Sequence, residues 1–361
     1  MSSDQHISNL RNDIDAIDDE LVGLLNRRAA LTIEVGEIKR AGDGEAQFYR
    51  PEREAQILRR LLQSNAGPIS DEDLARLMRE IIATCLSLEQ GLRIAYLGPE
   101  GTFTHLALLK HFGGAVEPIA VTSISEVFRE VEARASDYGV VPVENSLEGS
   151  VNQTLDCLGE SSLVICGEII LPVHHQLLST EAALHDIQRV YAHEQALAQC
   201  RAWLDRNLPG AERSALSSNA AAAERARSES GAGAIASKQA GEQYGLDVRA
   251  SNIEDHPQNT TRFAVLGRSI PQATGEDVTS IMFSMPNEPG ALHSLLSVLA
   301  AAGISMSRIE SRPKRTGDWD YLFFVDLLGH CNDADIASAL SEMESRAALF
   351  KVLGSCPRAI V

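Results

Sequence analysis

Apolar residues at the start of the chain recur at helical spacing. Ile7, Leu10, Ile14, Ile17, Leu21, Leu24, Leu31, Val35 and Ile38 advance mostly by three and four, which lays them along one face of a helix. The pattern predicts a helix from His6 to Arg40, stopped by Gly42 and Gly44. At 1.5 Å per residue it is roughly 50 Å long. A helix of that length with an unbroken apolar stripe needs another helix to cover it, so antiparallel pairing with a second copy is expected. Pro51, with Glu52 and Glu54 beside it, suits the first turn of a second helix. Ser70 and Asp73 form a cap signal for a third, which ends near Gly91.

From residue 92 the period changes. Short β-rich runs at 93–97, 116–121, 138–143, 163–171, 188–192, 232–236 and 261–266 alternate with helical stretches. That is the pattern of a parallel-sheet α/β unit. Ser269 to Asp277, with Pro271 and Gly275, is a linker. Beyond it the order is strand (278–285), helix (290–302), strand (304–311), strand (320–328), helix (335–345), strand (350–354), a ferredoxin-like βαββαβ arrangement. The chain is therefore expected to be multidomain α and α/β: an all-helical unit over 1–91, an α/β unit over 92–269 and a βαββαβ unit over 277–361.

The formal net charge of −18 argues against a nucleic-acid partner. No run of eighteen apolar residues suggests a membrane span, and the N-terminus is too polar for a signal peptide. Six cysteines without a CxxC pattern suit a reduced, cytoplasmic protein. His174-His175 lacks an accompanying Cys or carboxylate cluster, so no metal is expected. The run GAGAIASKQAG (231–241) lacks the acidic residue of a dinucleotide site, and no other cofactor signal stands out.

Against that acidic background, three cations stand out. Arg28 occupies a position where the first helix should be apolar, either as a snorkelling side chain or as an anion site. Lys39 lies eleven residues on, facing the same side about 16 Å away. Arg11 is roughly 25 Å before Arg28 along the same axis, too far to join their pocket except across an antiparallel partner. With YRPERE (49–54) and EIIATCLSLEQ (80–90), these residues resemble the all-helical chorismate mutase family. The resemblance implies that Arg28, and Arg11 from the other subunit, hold the two carboxylates of chorismate. It further implies that Lys39 and Glu89 meet the ether oxygen, that Arg53 supports the site, and that Glu54 binds the ring hydroxyl. Cys85 and Arg50 fall at substrate-contacting positions where many members carry Ser and Asp.

In the α/β unit, GPEGTFTHLA offers a turn into a helix N-terminus at Thr102, a natural anion cradle or an ordinary tight turn. VPVENSLEG brings Glu144, Asn145 and Ser146 to a strand end, and NTTRF brings Thr261 and Arg262 to the start of another. His193, Gln195 and Gln199 add imidazole and amide groups, or simply cap a helix. In this order, GPEGTF, VPVENS, HEQALAQC and TRF resemble the prephenate dehydratase family. Its two-lobed fold is similar to periplasmic binding proteins, with the site in the cleft. The resemblance implies Thr261 as the catalytic hydroxyl, helped by Glu144, Asn145 and Gln199, with Thr102, Ser146 and Arg262 binding prephenate.

The last unit carries GAL (290–292) and ESRP (310–313), and in order its segments resemble an ACT regulatory domain. That resemblance implies a phenylalanine site formed by Asn287, Gly290, Ala291, Leu292, Glu310, Ser311 and Arg312. It lies between two such domains in a homodimer that grows larger with the effector. Two other readings stay open: a non-catalytic two-lobed binding protein, and a dehydratase whose helical unit only dimerises.

Overall fold

The computed structural model describes residues 3–41, 49–285, 288–313 and 321–360. Its helical unit is α1 (Ser3–Ala41), α2 (Pro51–Gln63) and α3 (Asp71–Glu89). Pro51 stands in the first turn of α2, and the Ser70 hydroxyl accepts from Asp73 N at the start of α3, as the sequence predicts. Gly36 is the one residue of α1 that is buried. The stripe is open in the single chain: Ile14, Ile17 and Leu24 are 55%, 56% and 54% exposed.

The α/β unit follows as β1 (Arg93–Leu97), α4 (Phe103–Phe112), β2 (Glu117–Val121), α5 (Ile124–Glu132), β3 (Tyr138–Asn145), β4 (Gly149–Ser150), α6 (Asn152–Glu160), β5 (Val164–Pro172) and β6 (Gln176–Ser179). It continues through β7 (Arg189–His193), α7 (Glu194–Gln199), α8 (Arg201–Asn207), β8 (Glu212–Leu216), α9 (Asn219–Ser228), β9 (Ala232–Ala236), α10 (Lys238–Tyr244), β10 (Asp247–Ala250) and β11 (Thr260–Gly267). The last unit is β12 (Asp277–Ser284), α11 (Ala291–Ala301), β13 (Met306–Pro313), β14 (Tyr321–Leu328), α12 (Ala334–Arg346) and β15 (Leu349–Pro357), which is the predicted βαββαβ order.

Two sheets divide the α/β unit into lobes. The smaller has the order β10-β6-β9-β7-β8, and the larger runs β13-β14-β12-β15-β5-β11-β3-β1-β2 with β4 on β3. The expectation of parallel sheets is corrected here. β11 returns from the second lobe and inserts antiparallel between β3 and β5, and β6 pairs antiparallel with both β9 and β10. β6 and β10 have four residues each, too short for alternation to register in the sequence. On β3 the two faces feed different cores. Val141 and Val143 pack with α5 and α6, while Val140 packs with Tyr49, Phe112 and Phe263.

The C-terminal unit is not a separate bead. β15 pairs with β5 at Gly354 and Ile165, so one sheet runs through both units. A Cβ at Gly354 would lie 2.2 Å from Ile165 O and 2.6 Å from Ile165 N, an approach open only to glycine. The linker is pinned as well: Asp277 accepts from Thr274, and Arg59 of α2 donates to Thr274 Oγ1 and to Glu276 O. Gly354→Ala is therefore expected to open this junction, at a cost on the order of 2 kcal/mol or more. A lower denaturation midpoint for the α/β body, read by tryptophan fluorescence, checks this. An unchanged midpoint would show that the junction contributes nothing.

Candidate active site

The strand pair β3/β11 positions the cleft. Its register sets Thr261 opposite Asn145 and Arg262 opposite Glu144. Successive residues of a strand point to opposite faces. Asn145 and Thr261 therefore share the cleft face, and Asn145 Nδ2 donates to Thr261 Oγ1 at 2.9 Å. Asn145 Nδ2 also donates to Asn259 Oδ1 at 2.8 Å, and Asn259 Nδ2 donates to Gln199 Oε1 at 3.2 Å. Gln199 Oε1 lies 2.9 Å from His175 Nε2, and Gln199 Nε2 donates to Glu148. Gln195 Nε2 donates to the other oxygen of Glu148 at 2.6 Å, so this carboxylate bridges from the first lobe to α7 of the second. Ser146 Oγ sits at the margin, accepting from Thr260 N.

The cleft thus gathers Thr261, Asn145 and Gln199, and adds Asn259, His175 and Glu148. Asn259 lay inside the NTTRF run and Glu148 inside VPVENSLEG, both read only for their neighbours. The paired histidines are engaged otherwise than in a metal site: His174 Nδ1 is 2.8 Å from Glu254, and His175 N donates to the same carboxylate. Burial pushes the Glu254 carboxyl upward, but the bonds from His174 and the His175 amide outweigh it and leave it below its usual range. Thr102 Oγ1 accepts from His105 N and donates to Leu97 O, so its hydroxyl is spent within the turn that caps α4.

Strand alternation turns Glu144 and Arg262 to the other face of the strand pair, away from Asn145 and Thr261. There Arg262 meets Asp326 at 2.7 Å, Glu168 at 3.3 Å and Glu144 at 3.4 Å. Arg308 of β13 meets Glu144 at 2.9 Å and donates to Ser150 Oγ, and Ser280 Oγ donates to Asp326. Arg262, Glu168, Arg308 and Asp326 line a cavity between the α/β unit and the C-terminal unit.

In the helical unit, Lys39 Nζ is 3.1 Å from Glu89 Oε2, with Glu89's side chain only 6% exposed. Arg28 lies half-buried and donates to Ile81 O, and Arg40 donates to Glu89 O. Gly36 makes room for this contact, since a Cβ there would be 3.0 Å from Glu89 Cγ. Cys85 is buried on α3, while Arg11, Arg50 and Arg53 are exposed. Arg28, Lys39 and Glu89 thus all lie along the seam between α1 and α3, Lys39 against Glu89 and Arg28 farther along at Ile81. Glu54 does not join them. It faces Arg79 at 3.9 Å, in a cavity of about 490 Å³ shared with Tyr49, Lys110, His111 and Arg358.

Comparison with known proteins bears on both sites. The profile of chorismate mutase type II matches residues 10–90, that of prephenate dehydratase 94–271 and that of the ACT domain 279–344. A bifunctional chorismate mutase/prephenate dehydratase of Stutzerimonas stutzeri is 50% identical over 365 residues, covering 100% of both chains. Another, of Neisseria gonorrhoeae, is 50% identical over 354 residues and 97% of each chain. The chain belongs to the bifunctional chorismate mutase/prephenate dehydratase family. Among solved structures, a prephenate dehydratase from Arthrobacter aurescens in complex with L-Phe is 36% identical with a TM-score of 0.69, covering 75% of this chain and 93% of that one. The Staphylococcus aureus enzyme is 28% identical with a TM-score of 0.62, covering 73% and 100%.

In this family member, the C-terminal motifs lie on α11 and β13. Gly290 is left-handed (φ +84°) at the N-cap of α11, with Ala291 and Leu292 in its first turn. Asn287 lies outside the described residues. Arg308, Glu310 and Arg312 alternate with the exposed Ile309, Ser311 and Pro313, so the first three share one face. In the single chain Arg312 donates to Asn152 O and to Asp156 of α6, each at 2.8 Å.

Glu54 gives a pH signature. Burial raises its carboxyl from the ordinary 4.5 to about 7, and Arg79 only partly opposes this. The folded chain holds this proton more tightly than the unfolded chain, so stability falls as pH rises from 4.5 to about 7. Glu54→Gln is expected to remove that fall and to gain on the order of 2–3 kcal/mol at pH 8. Denaturation midpoints of both proteins at pH 5 and pH 8 test it. Parallel pH trends would free Glu54 from the claim.

Proposed function

We propose that this enzyme rearranges chorismate to prephenate in its helical unit, then decarboxylates and dehydrates prephenate to phenylpyruvate in the cleft, under feedback by phenylalanine. The observation that carries the reading is the apposition of Asn145 Nδ2 and Thr261 Oγ1 within an amide-rich cleft, in a chain whose full-length relatives bear both activities by name. Conversion of chorismate to phenylpyruvate by the purified chain tests it, and accumulation of prephenate alone would reduce it to a mutase.

The first reaction is pericyclic and needs no nucleophile. Breaking the carbon–oxygen bond builds negative charge on the ether oxygen, where Lys39 stabilises the transition state more than the ground state. Holding both carboxylates selects the compact, reactive conformer. Arg28 supplies one clamp, and Arg11 of a second copy supplies the other. In support, Arg11 and the apolar stripe of α1 are exposed, as antiparallel pairing of two chains requires. Arg53, exposed on α2, supports the site, and Glu54 belongs to it by family resemblance alone. Arg11→Ala and Arg28→Ala are each expected to be nearly inactive as mutases. Mixed and reassembled, they should recover activity, because one site of each heterodimer is intact. Heterodimers without turnover would exclude the shared site.

In the second reaction the electron pair of the breaking carbon–carboxylate bond flows into the ring, and hydroxide departs from the far carbon. Carbon dioxide leaves, and the departing oxygen takes a proton to become water. Thr261 donates a hydrogen bond to that oxygen, Gln199 orients the substrate, and Asn145 holds the Thr261 hydroxyl in place. No cofactor enters either step. We place the reactions in the cytoplasm; six free cysteines support this, and among the described residues no helix is long and apolar enough to cross a membrane.

Phenylalanine acts at α11 and β13, in a homodimer that enlarges with the effector. The L-Phe complex of the Arthrobacter enzyme supports the ligand. The ion pairs Arg308–Glu144 and Arg262–Asp326 support a route to the cleft, because Glu144 and Arg262 directly adjoin Asn145 and Thr261. When Arg308 is removed, Glu144 keeps Arg262, so the cleft retains its support. Arg308→Gln is therefore expected to keep dehydratase turnover while losing most phenylalanine inhibition. Inhibition curves that match those of the unaltered enzyme would exclude this route.

A further inference from the structure

Asn145 has the one side-chain orientation in the cleft that backbone groups dictate. Leu147 N and Glu148 N point at Asn145 Oδ1, at 3.0 and 3.3 Å. Backbone N–H groups only donate, so this atom is the oxygen and the other is the amide nitrogen. Asn145 Nδ2 therefore donates to Thr261 Oγ1 and to Asn259 Oδ1. Asn259, 1% exposed, is oriented in turn, and its Nδ2 donates to Gln199 Oε1. Gln199 Oε1 can only accept, so His175 Nε2, at 2.9 Å, carries a proton. His175 is 2% exposed, and its Nδ1 is buried with no hydrogen-bond partner among the described residues. A proton on that atom would be stranded, which leaves the neutral Nε2–H form. Burial, which holds this imidazole below its usual range despite the bond to Gln199, agrees.

We propose that Asn259 and His175 are positioning residues for the dehydration step. Together they fix the direction of a hydrogen-bond chain that leaves Thr261 and Gln199 as donors toward the substrate. Thr261 Oγ1 already accepts from Asn145, so its own proton is available to the departing oxygen. Gln199 Oε1 is held by two donors, so its amide nitrogen faces Glu148 across the cleft, where substrate enters. A reversal anywhere along the chain turns one of these donors into an acceptor. The inference rests on the dehydratase reading of the cleft.

The test uses the intact chain, prephenate turnover and nitrogen NMR of 15N-histidine-labelled protein. His175→Gln supplies a donor where Nε2 stood and is expected to stay within roughly threefold of the unaltered kcat. His175→Asn supplies one only where Nδ1 stood and should lose roughly tenfold or more, with KM little changed. Equal kcat in the two variants, whether both are high or both low, would overturn the proposal. Asn259→Asp keeps the acceptor for Asn145 but removes the donor to Gln199. The Gln199 amide must then turn, and His175 must switch to the Nδ1–H form. The spectrum should show Nε2–H in the unaltered protein and the switch in Asn259→Asp. An Nδ1–H form in the unaltered protein, or no switch in the variant, overturns the chain. A wild-type protein that does not turn over prephenate would defeat the dehydratase reading instead, while the spectrum still decides the proton's place on His175.

Discussion

The antiparallel pairing of β3 with β11 is the constraint on which the rest depends. Because side chains alternate along a strand, Asn145 and Thr261 cannot face the cleft unless Glu144 and Arg262 face the other way. A slip of one residue would exchange the two pairs, burying the amide and hydroxyl among charges and sending the charges into the cleft. The register shift between Arg262 and Phe263 falls just beyond the functional pairs. Glu144 and Arg262 are themselves held by partners on β5, β13 and β14, so the C-terminal unit helps fix the register that orients the cleft.

That second face is an expensive way to join two domains. Buried ions lose hydration, and their mutual attraction returns it only when each is well paired. Arg262 has three carboxylates around it, and Asp326 has two guanidiniums and a serine hydroxyl. Removing one member leaves the others charged and short of partners, which makes such a cluster sensitive to small displacements. An apolar seam would hold the domains together as well but would be less directional. The effector motif lies on the same strand face, since Arg308, Glu310 and Arg312 all point toward the α/β unit. A shift of β13 therefore moves charges that touch the residues beside Asn145 and Thr261.

Much of this was legible in the sequence wherever the signal was periodic. The stripe from Ile7 to Ile38, the proline at 51 and the Ser70 cap foretold three helices, and the C-terminal βαββαβ order followed from alternation and turn residues. Residue identity also singled out Arg28, a charge on an apolar face, and Lys39 on the same side, while Glu89 came only with the resemblance to chorismate mutases. Direction was not legible. Glu144 and Asn145 are adjacent letters, and nothing local says which one meets the substrate until β11 is known to lie antiparallel beside β3. Asn259 and His175 escaped for a related reason: a buried amide or imidazole shows its role only through partners far away in the chain. The four-residue strands β6 and β10 are too short for any period to emerge.

The two sites solve the problem of a dianionic substrate in different ways, and the chemistry explains why. In the helical unit the transition state gains negative charge at one oxygen, so a fixed cation there lowers the barrier; that is the role proposed for Lys39, which is paired with Glu89 in the single chain. In the cleft, the electron pair of the carboxylate passes through the ring to the departing oxygen as neutral carbon dioxide forms, and that oxygen needs a proton. A hydroxyl whose oxygen is already hydrogen-bonded directs its own hydrogen outward, as a hydrogen bond to the departing oxygen. The hydrogen-bonded set in the cleft is accordingly amides, an imidazole and a hydroxyl, and the arginine next to Thr261 is turned to the far side of the sheet. An acidic chain can thus host both reactions, with cations in the helical unit and neutral hydrogen-bond donors in the cleft.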